Sequence, residues 1–99
     1  MLAYTSRMGD VYKALADETR RTILDDLAER DGQTLFELCV RLADRGVTHS
    51  RQAVSQHLAV LEEAGLVHSE RRGKFKFHII DTRPLAQISE RWPLPAGES

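Results

Sequence analysis

Apolar residues recur at intervals of three and four along the first two-thirds of this chain, the period of helices that bury one side. Tyr4, Met8, Val11, Tyr12 and Leu15 predict a first helix over residues 4–16, its start blurred by Gly9. Asp17 reads as an N-cap, because its carboxylate can accept from the free amides of the next turn. A second helix follows over 18–30, with Ile23, Leu24, Leu27 and Ala28 as its buried stripe and Asp31-Gly32 as its stop. Asp25 and Asp26 lie beside that stripe and read as a solvated face. Thr34-Leu35-Phe36-Glu37 matches a capping box, opening a third helix that carries Leu35, Leu38, Cys39 and Leu42 and stops near Gly46. Ser50 is the next N-cap; the fourth helix, 51–64, buries Val54, Leu58 and Leu61 and ends at Gly65, placed as a C′ glycine.

The period then changes. Residues 66–71 and 75–80 read as two short strands around Arg72-Gly73-Lys74, a hairpin. Asp81-Thr82-Arg83-Pro84 opens a last helix, with proline in the first turn, where its missing amide does no harm. Leu85, Ile88 and Trp92 lie along one side of it. The predicted fold is mostly α with a small β hairpin (α+β), in the order α-α-α-α-β-β-α. Residues 1–92 form one domain in this reading, and 93–99, with two prolines and a glycine, a flexible tail.

Size and composition narrow the function classes. A domain of 99 residues buries only about 60–68 % of the surface its unfolded chain exposes, so an oligomer interface would help it. No apolar run reaches the roughly 18 residues of a membrane span, and no signal-peptide core is present near the start. The single cysteine, Cys39, cannot form an internal disulfide and fits a reducing cytoplasm. The expectation is a cytoplasmic protein with no membrane partner. The formal net charge of −1 is unusual for a binder of polyanions, but the charge is segregated. Asp25, Asp26, Glu29 and Asp31 crowd one stretch; Arg71, Arg72, Lys74 and Lys76 crowd the hairpin. The local field, not the total, decides where a polyanion docks.

The fourth helix carries the functional signal. With Val54 as origin and about 100° per residue, Leu58 and Leu61 fall within about 40° of it. Gln52, Ser55, Gln56 and Ala59 fall on the other side. Amide and hydroxyl groups with no acid among them suit base edges in a major groove, where glutamine can pair bidentately with adenine. Ser50 and Arg51 stand at the helix start, a common place for phosphate contacts. A solvated face would explain these polar residues alone. Four cations within six residues of the following hairpin shift the balance toward a winged helix-turn-helix that binds double-stranded DNA.

Two segments carry a resemblance. Leu15-Ala16-Asp17-Glu18-Thr19-Arg20-Arg21-Thr22-Ile23-Leu24 resembles the start of the ArsR/SmtB regulators. So does Ala53-Val54-Ser55-Gln56-His57-Leu58-Ala59-Val60-Leu61-Glu62-Glu63-Ala64-Gly65-Leu66-Val67. The likeness covers roughly residues 8–92. It implies a winged-helix homodimer joined by the first and last helices, here through Tyr4, Met8, Val11, Tyr12, Leu85, Ile88 and Trp92. It also implies that Gln52, Ser55 and Gln56 lie on the DNA-reading helix and that residues 71–76 form the wing. The chain departs from the family in the stretch from Ala43 to His49, several residues longer than the usual turn before the reading helix.

Family members often sense metals, yet no metal site or cofactor is expected here. Glu37-Leu38-Cys39-Val40 resembles half of the family's arsenic-sensing motif, but Arg41 stands where its second cysteine belongs. A soft ion needs two or three thiolates, so Cys39 reads as core. The family's zinc pattern on the last helix meets Arg83 where a histidine belongs, and no histidine follows. His57 falls on the flank of the buried face of the fourth helix and reads as structural, while His49, His68 and His78 lack the one-turn spacing of a helical metal site. No glycine-rich phosphate loop or nucleophile elbow points to an enzyme. Three readings stay open: a dimeric regulator answering to an unknown small-molecule or protein effector, a metal-responsive regulator with an unrecognised histidine site, and a winged-helix module that binds protein.

Overall fold

The computed structural model describes residues 2–95, with side chains from Met8 onward. Four helices come first: α1 (Leu2–Leu15), α2 (Glu18–Glu29), α3 (Leu35–Asp44) and α4 (Arg51–Glu63). A hairpin of β1 (Val67–Arg72) and β2 (Phe75–Ile80) follows, then α5 (Arg83–Arg91). The element order is the one expected. α1 runs unbroken through Gly9, because Met8, Val11 and Ala14 on either side of it are buried. Of the predicted tail, residues 93–95 are exposed and without regular structure, and 96–99 lie outside the described residues.

The helix ends are set by side chains close in sequence. Asp17 accepts from the Arg20 amide at 3.0 Å to start α2. Thr34 and Glu37 close their capping box, with the Thr34 amide 2.9 Å from Glu37 Oε1 and the Glu37 amide 3.2 Å from Thr34 Oγ1. Two helices end in the same way. Gly46 and Gly65 take the left-handed backbone, at φ 88° and 77°. The next amide then reaches back to the carbonyl five residues earlier, Val47 to Leu42 and Leu66 to Leu61, each at 2.9 Å. These returns drive Val47 and Leu66 against the core, so the long connection before α4 is anchored at its start.

The core joins every helix. Val11 and Ala14 of α1 meet Ile23, Leu24 and Leu27 of α2, Leu38 and Leu42 of α3, and Val54, Leu58 and Leu61 of α4. β1 and β2 pair antiparallel in the register Val67–Ile80 to Arg72–Phe75, leaving Gly73-Lys74 as a two-residue turn. Gln33 adds one more antiparallel bridge on β2, its amide to the His78 carbonyl at 3.2 Å and the return bond at 2.7 Å. The bridge stops there because Thr34 turns the chain into α3.

Two sequence expectations for α2 are corrected. Ala28 is exposed, and Asp26, expected on a solvated face, is 1 % exposed. Its Oδ2 accepts from Gln33 Nε2 at 2.8 Å and Arg41 Nε at 2.9 Å, and its Oδ1 from Arg45 Nε at 3.0 Å. Glu29 completes the network, 2.7 Å from Arg45 Nη2. Burial alone would raise the Asp26 carboxyl, but the bonds from Arg41, Gln33 and Arg45 outweigh it and hold it below the ordinary carboxylate range. A buried carboxylate persists only when its lone pairs are satisfied in this way.

Truncation here should be costly. Asp26→Ala should lower unfolding free energy by about 2–4 kcal/mol, because it leaves two guanidinium groups and the Gln33 amide without their acceptor. Asp25→Ala, one position along and exposed, should change it by less than about 0.5 kcal/mol. Urea unfolding of the two variants checks this; equal costs would mean that the network is ornamental.

Candidate nucleic-acid interface

Ser50 caps α4, its Oγ accepting from the Ala53 amide at 3.1 Å. That serine therefore starts the helix. Val54, Leu58 and Leu61 bury one side of α4, which turns Gln52, Ser55, Gln56 and Ala59 outward. The predicted division of the helix into a core side and an amide-rich side holds in the structure. Arg51 is exposed in the first turn, where unpaired backbone amides leave partial positive charge.

The wing brings its cations to the same side. Arg51 and Ser55 of α4 line one cleft with Lys74 and Lys76 of the hairpin, a concavity of about 730 Å³. Arg71, Arg72, Lys74 and Lys76 are all exposed. Arg72 differs from the others: its guanidinium bonds to Glu70, Nε to Oε1 at 2.7 Å, and lies 5.3 Å over the Phe77 ring. It braces the hairpin internally. Among the described residues, Arg51, Arg71, Lys74 and Lys76 form no ion pair.

The back of α4 is fixed by residues that sequence reasoning passed over. Arg20 donates from Nε to the Ala14 carbonyl at 2.9 Å and from Nη2 to the Lys13 carbonyl at 3.1 Å, capping the end of α1. Arg21 does the same for Leu15 at 2.8 Å. Arg20 Nη1 also lies 3.2 Å from His57 Nδ1. A guanidinium only donates, so this nitrogen is the acceptor of a neutral ring. Burial pushes the His57 pKa down; nearby Asp17 opposes the shift, while Arg20 and His49 add to it. Thr19 Oγ1 lies 3.2 Å from His49 Nε2, pinning the far end of the long connection. The signal for these contacts was an arginine pair just inside an N-capped helix that follows another helix end.

The residues expected at a dimer interface divide. Val11 is fully buried in the chain's own core and Met8 nearly so, because α1 packs this stripe inward; neither offers surface to a second copy. Leu85 and Ile88 are half-buried against the same core. Tyr12 and Trp92 are 40 % and 60 % exposed. The Tyr4 side chain lies outside the described residues. Among the described residues, no three histidine, cysteine or acidic side chains converge as a metal site requires. Cys39 packs partly buried against the core, and burial pushes its thiol up. No helix of the described residues is long and apolar enough to cross a membrane.

A family profile described as a helix-turn-helix domain matches residues 15–70. The chain is 47 % identical over 83 residues to the uncharacterized HTH-type transcriptional regulator YuzN of Bacillus subtilis (strain 168), covering 83 % of this chain and 90 % of that protein. It also superposes on an ArsR-like transcriptional regulator from Rhodococcus sp. RHA1 with a TM-score of 0.77, at 30 % identity, over 92 % of this chain and 78 % of that one. This protein belongs to the ArsR family. The ArsR-type chain is a DNA-binding transcriptional regulator with the winged helix-turn-helix fold. The same fold occurs in Mb0332 from Mycobacterium bovis, a homodimeric winged helix-turn-helix DNA-binding domain, with a TM-score of 0.70 at 23 % identity over 99 % of this chain and 91 % of that one.

Histidine burial sets an acid limit for this ArsR-family chain. Burial also pushes the His78 pKa down. Both His57 and His78 therefore bind protons more readily when unfolded, and their contribution, complete above pH ~6.5, is lost as pH falls below it. Urea midpoints should drop between pH 7 and 5, and a His57→Gln, His78→Gln variant should show a flatter profile over that range. An unchanged slope in the double variant would place the loss elsewhere.

Proposed function

We propose that this regulator binds a pseudo-palindromic operator as a homodimer, without a metal cofactor. Gln52, Ser55 and Gln56 read base edges, while Arg51, Arg71, Lys74 and Lys76 hold phosphates. The observation that carries this reading is the shared cleft: Arg51 and Ser55 of α4 face Lys74 and Lys76 of the hairpin across it, and among the described residues these three cations form no ion pair; Gln52 and Gln56 are exposed on the same outward side of α4. Ser50 acts by capping the reading helix, and Arg72 by bracing the wing.

Pairing follows from what α1 and α5 leave uncovered. Tyr12 on α1 and Trp92 just past the end of α5 are large exposed aromatics, and the two helices contact each other. Ile88 and Leu85 lie at half-buried positions beside them. A symmetric pair built here would set two reading helices about 34 Å apart, facing successive major grooves. The homodimeric Mb0332 domain supports pairing by a chain of this fold.

Selection from random duplex DNA is the direct test. Enrichment of an inverted repeat with half-sites about one helical turn apart is the expected result; no enrichment would overturn the reading. Gln52→Ala or Gln56→Ala should each relax preference at one base position, by about 1–3 kcal/mol. Lys74→Ala should weaken all sequences alike and lower the salt slope by about one unit. A change of base preference in Lys74→Ala, with none in Gln56→Ala, would reverse the assigned roles.

A further inference from the structure

The cleft between α4 and the wing has walls that phosphate recognition does not require. The chain contains three phenylalanines, and all three, Phe36, Phe75 and Phe77, line this one cleft together with Leu35 and Leu58. Phe36 is 64 % exposed and Phe75 58 % exposed. Aromatic surface left open to water is costly, about 25 cal/mol for each Å², and phosphate groups offer nothing apolar to cover it. The cleft's volume, about 730 Å³, lies within the range of small-molecule sites, roughly 300–1,000 Å³.

Its charge is also unbalanced. Arg51, Lys74 and Lys76 line the cleft against one carboxylate, Glu37. Glu37 Oε1 is already engaged by the Thr34 amide at 2.9 Å and hydroxyl at 3.2 Å. An occupant that satisfies both features has an apolar body and one anionic group. A purely hydrophobic molecule would leave the cations bare, and inorganic phosphate would leave the rings bare.

We propose that this cleft is a binding site for an amphipathic organic anion, an acyl or aryl acid, which competes with DNA because Arg51, Ser55, Lys74 and Lys76 serve both ligands. The competition rests on the duplex reading given above; the binding site itself does not. An acid seated here neutralises the wing lysines and fills the space between wing and reading helix, so release of the operator follows from occupancy alone.

The test uses the full chain and two probes, 8-anilinonaphthalene-1-sulfonate and decanoate, the latter below its micelle-forming concentration. The fluorescent sulfonate should bind saturably, one per chain, and decanoate should displace it while decanol at the same concentration does not. Phe36→Ala with Phe75→Ala should weaken both probes at least tenfold; both residues are exposed, so the fold is spared. Leu94→Ala, beyond the end of α5 and 74 % exposed, should leave probe affinity unchanged. Displacement by decanol as effective as by decanoate would overturn the anion requirement. Loss of probe binding in Leu94→Ala, but not in the Phe pair, would overturn the site. In duplex titrations, decanoate should raise the apparent Kd of wild type and leave that of the Phe36, Phe75 variant unmoved. If that variant instead lost duplex affinity and decanoate had no effect on the wild type, DNA itself would be what covers these rings, and the proposal would fail. Probe titrations need no DNA, so failure to bind any duplex would sink the operator reading and leave the cleft to be judged separately.

Discussion

One carboxylate ties together parts of the chain that would otherwise have no fixed relation. Asp26 sits on α2, receives Arg41 from α3 and Arg45 from its C-cap, and binds the side chain of Gln33. The backbone of Gln33 is in turn the one point at which the segment before α3 pairs with β2. A single buried charge thus sets the angle between two helices and the seat of the wing. Apolar contacts alone would let helices slide by fractions of a turn; three directional donors on one carboxylate do not. Arg41 gains a meaning here as well. It occupies the place where the arsenic-sensing pattern has a cysteine, and its guanidinium is engaged with Asp26.

α4, the proposed reading helix, depends on that frame at one remove. α4 is held by its apolar side, by the Arg20–His57 contact behind it and by the anchored ends of the connection from α3. The connection is not left loose. Val47 is tucked against the core at one end and His49 meets Thr19 at the other. The residues that face outward are thereby presented on a helix with little freedom to rotate, as selective recognition of base edges demands.

Most of the architecture was legible because it is written locally. Capping residues, the two terminating glycines and the change of period at the hairpin each act within a few positions, and all of them hold. The outward side of α4 followed from helical angle alone. Asp26 was misread although the signal was present: it lies about 60° from Ile23 around the helix axis, whereas Ala28 lies about 140° away. Angle placed the aspartate within the buried stripe; its polarity argued against that, and only knowledge of Arg41, Arg45 and Gln33 resolves the conflict. Val11 failed differently, because an apolar row on a terminal helix cannot show whether its partner is a second copy or the same chain. The cleft between α4 and the wing was invisible for a third reason: Phe36 and the Phe75–Phe77 pair are about 40 residues apart, and no local pattern links them.

The single bridge at Gln33 also bears on how the molecule assembles. Hairpin and helices close over short stretches of chain, and β1 is tied to α4 seven positions back by Ser69 Oγ donating to Glu62 at 2.8 Å, but β2 meets the helical body through residues far apart, as in the 2.9 Å bond from the Ile80 amide to Asp31, 49 positions away. Closing so long a loop costs entropy that one backbone bridge cannot offset. Asp31 and Gln33 hold their places through the packing of α2 on α3, so the seat of β2 is built by that encounter and not by the hairpin's own turn.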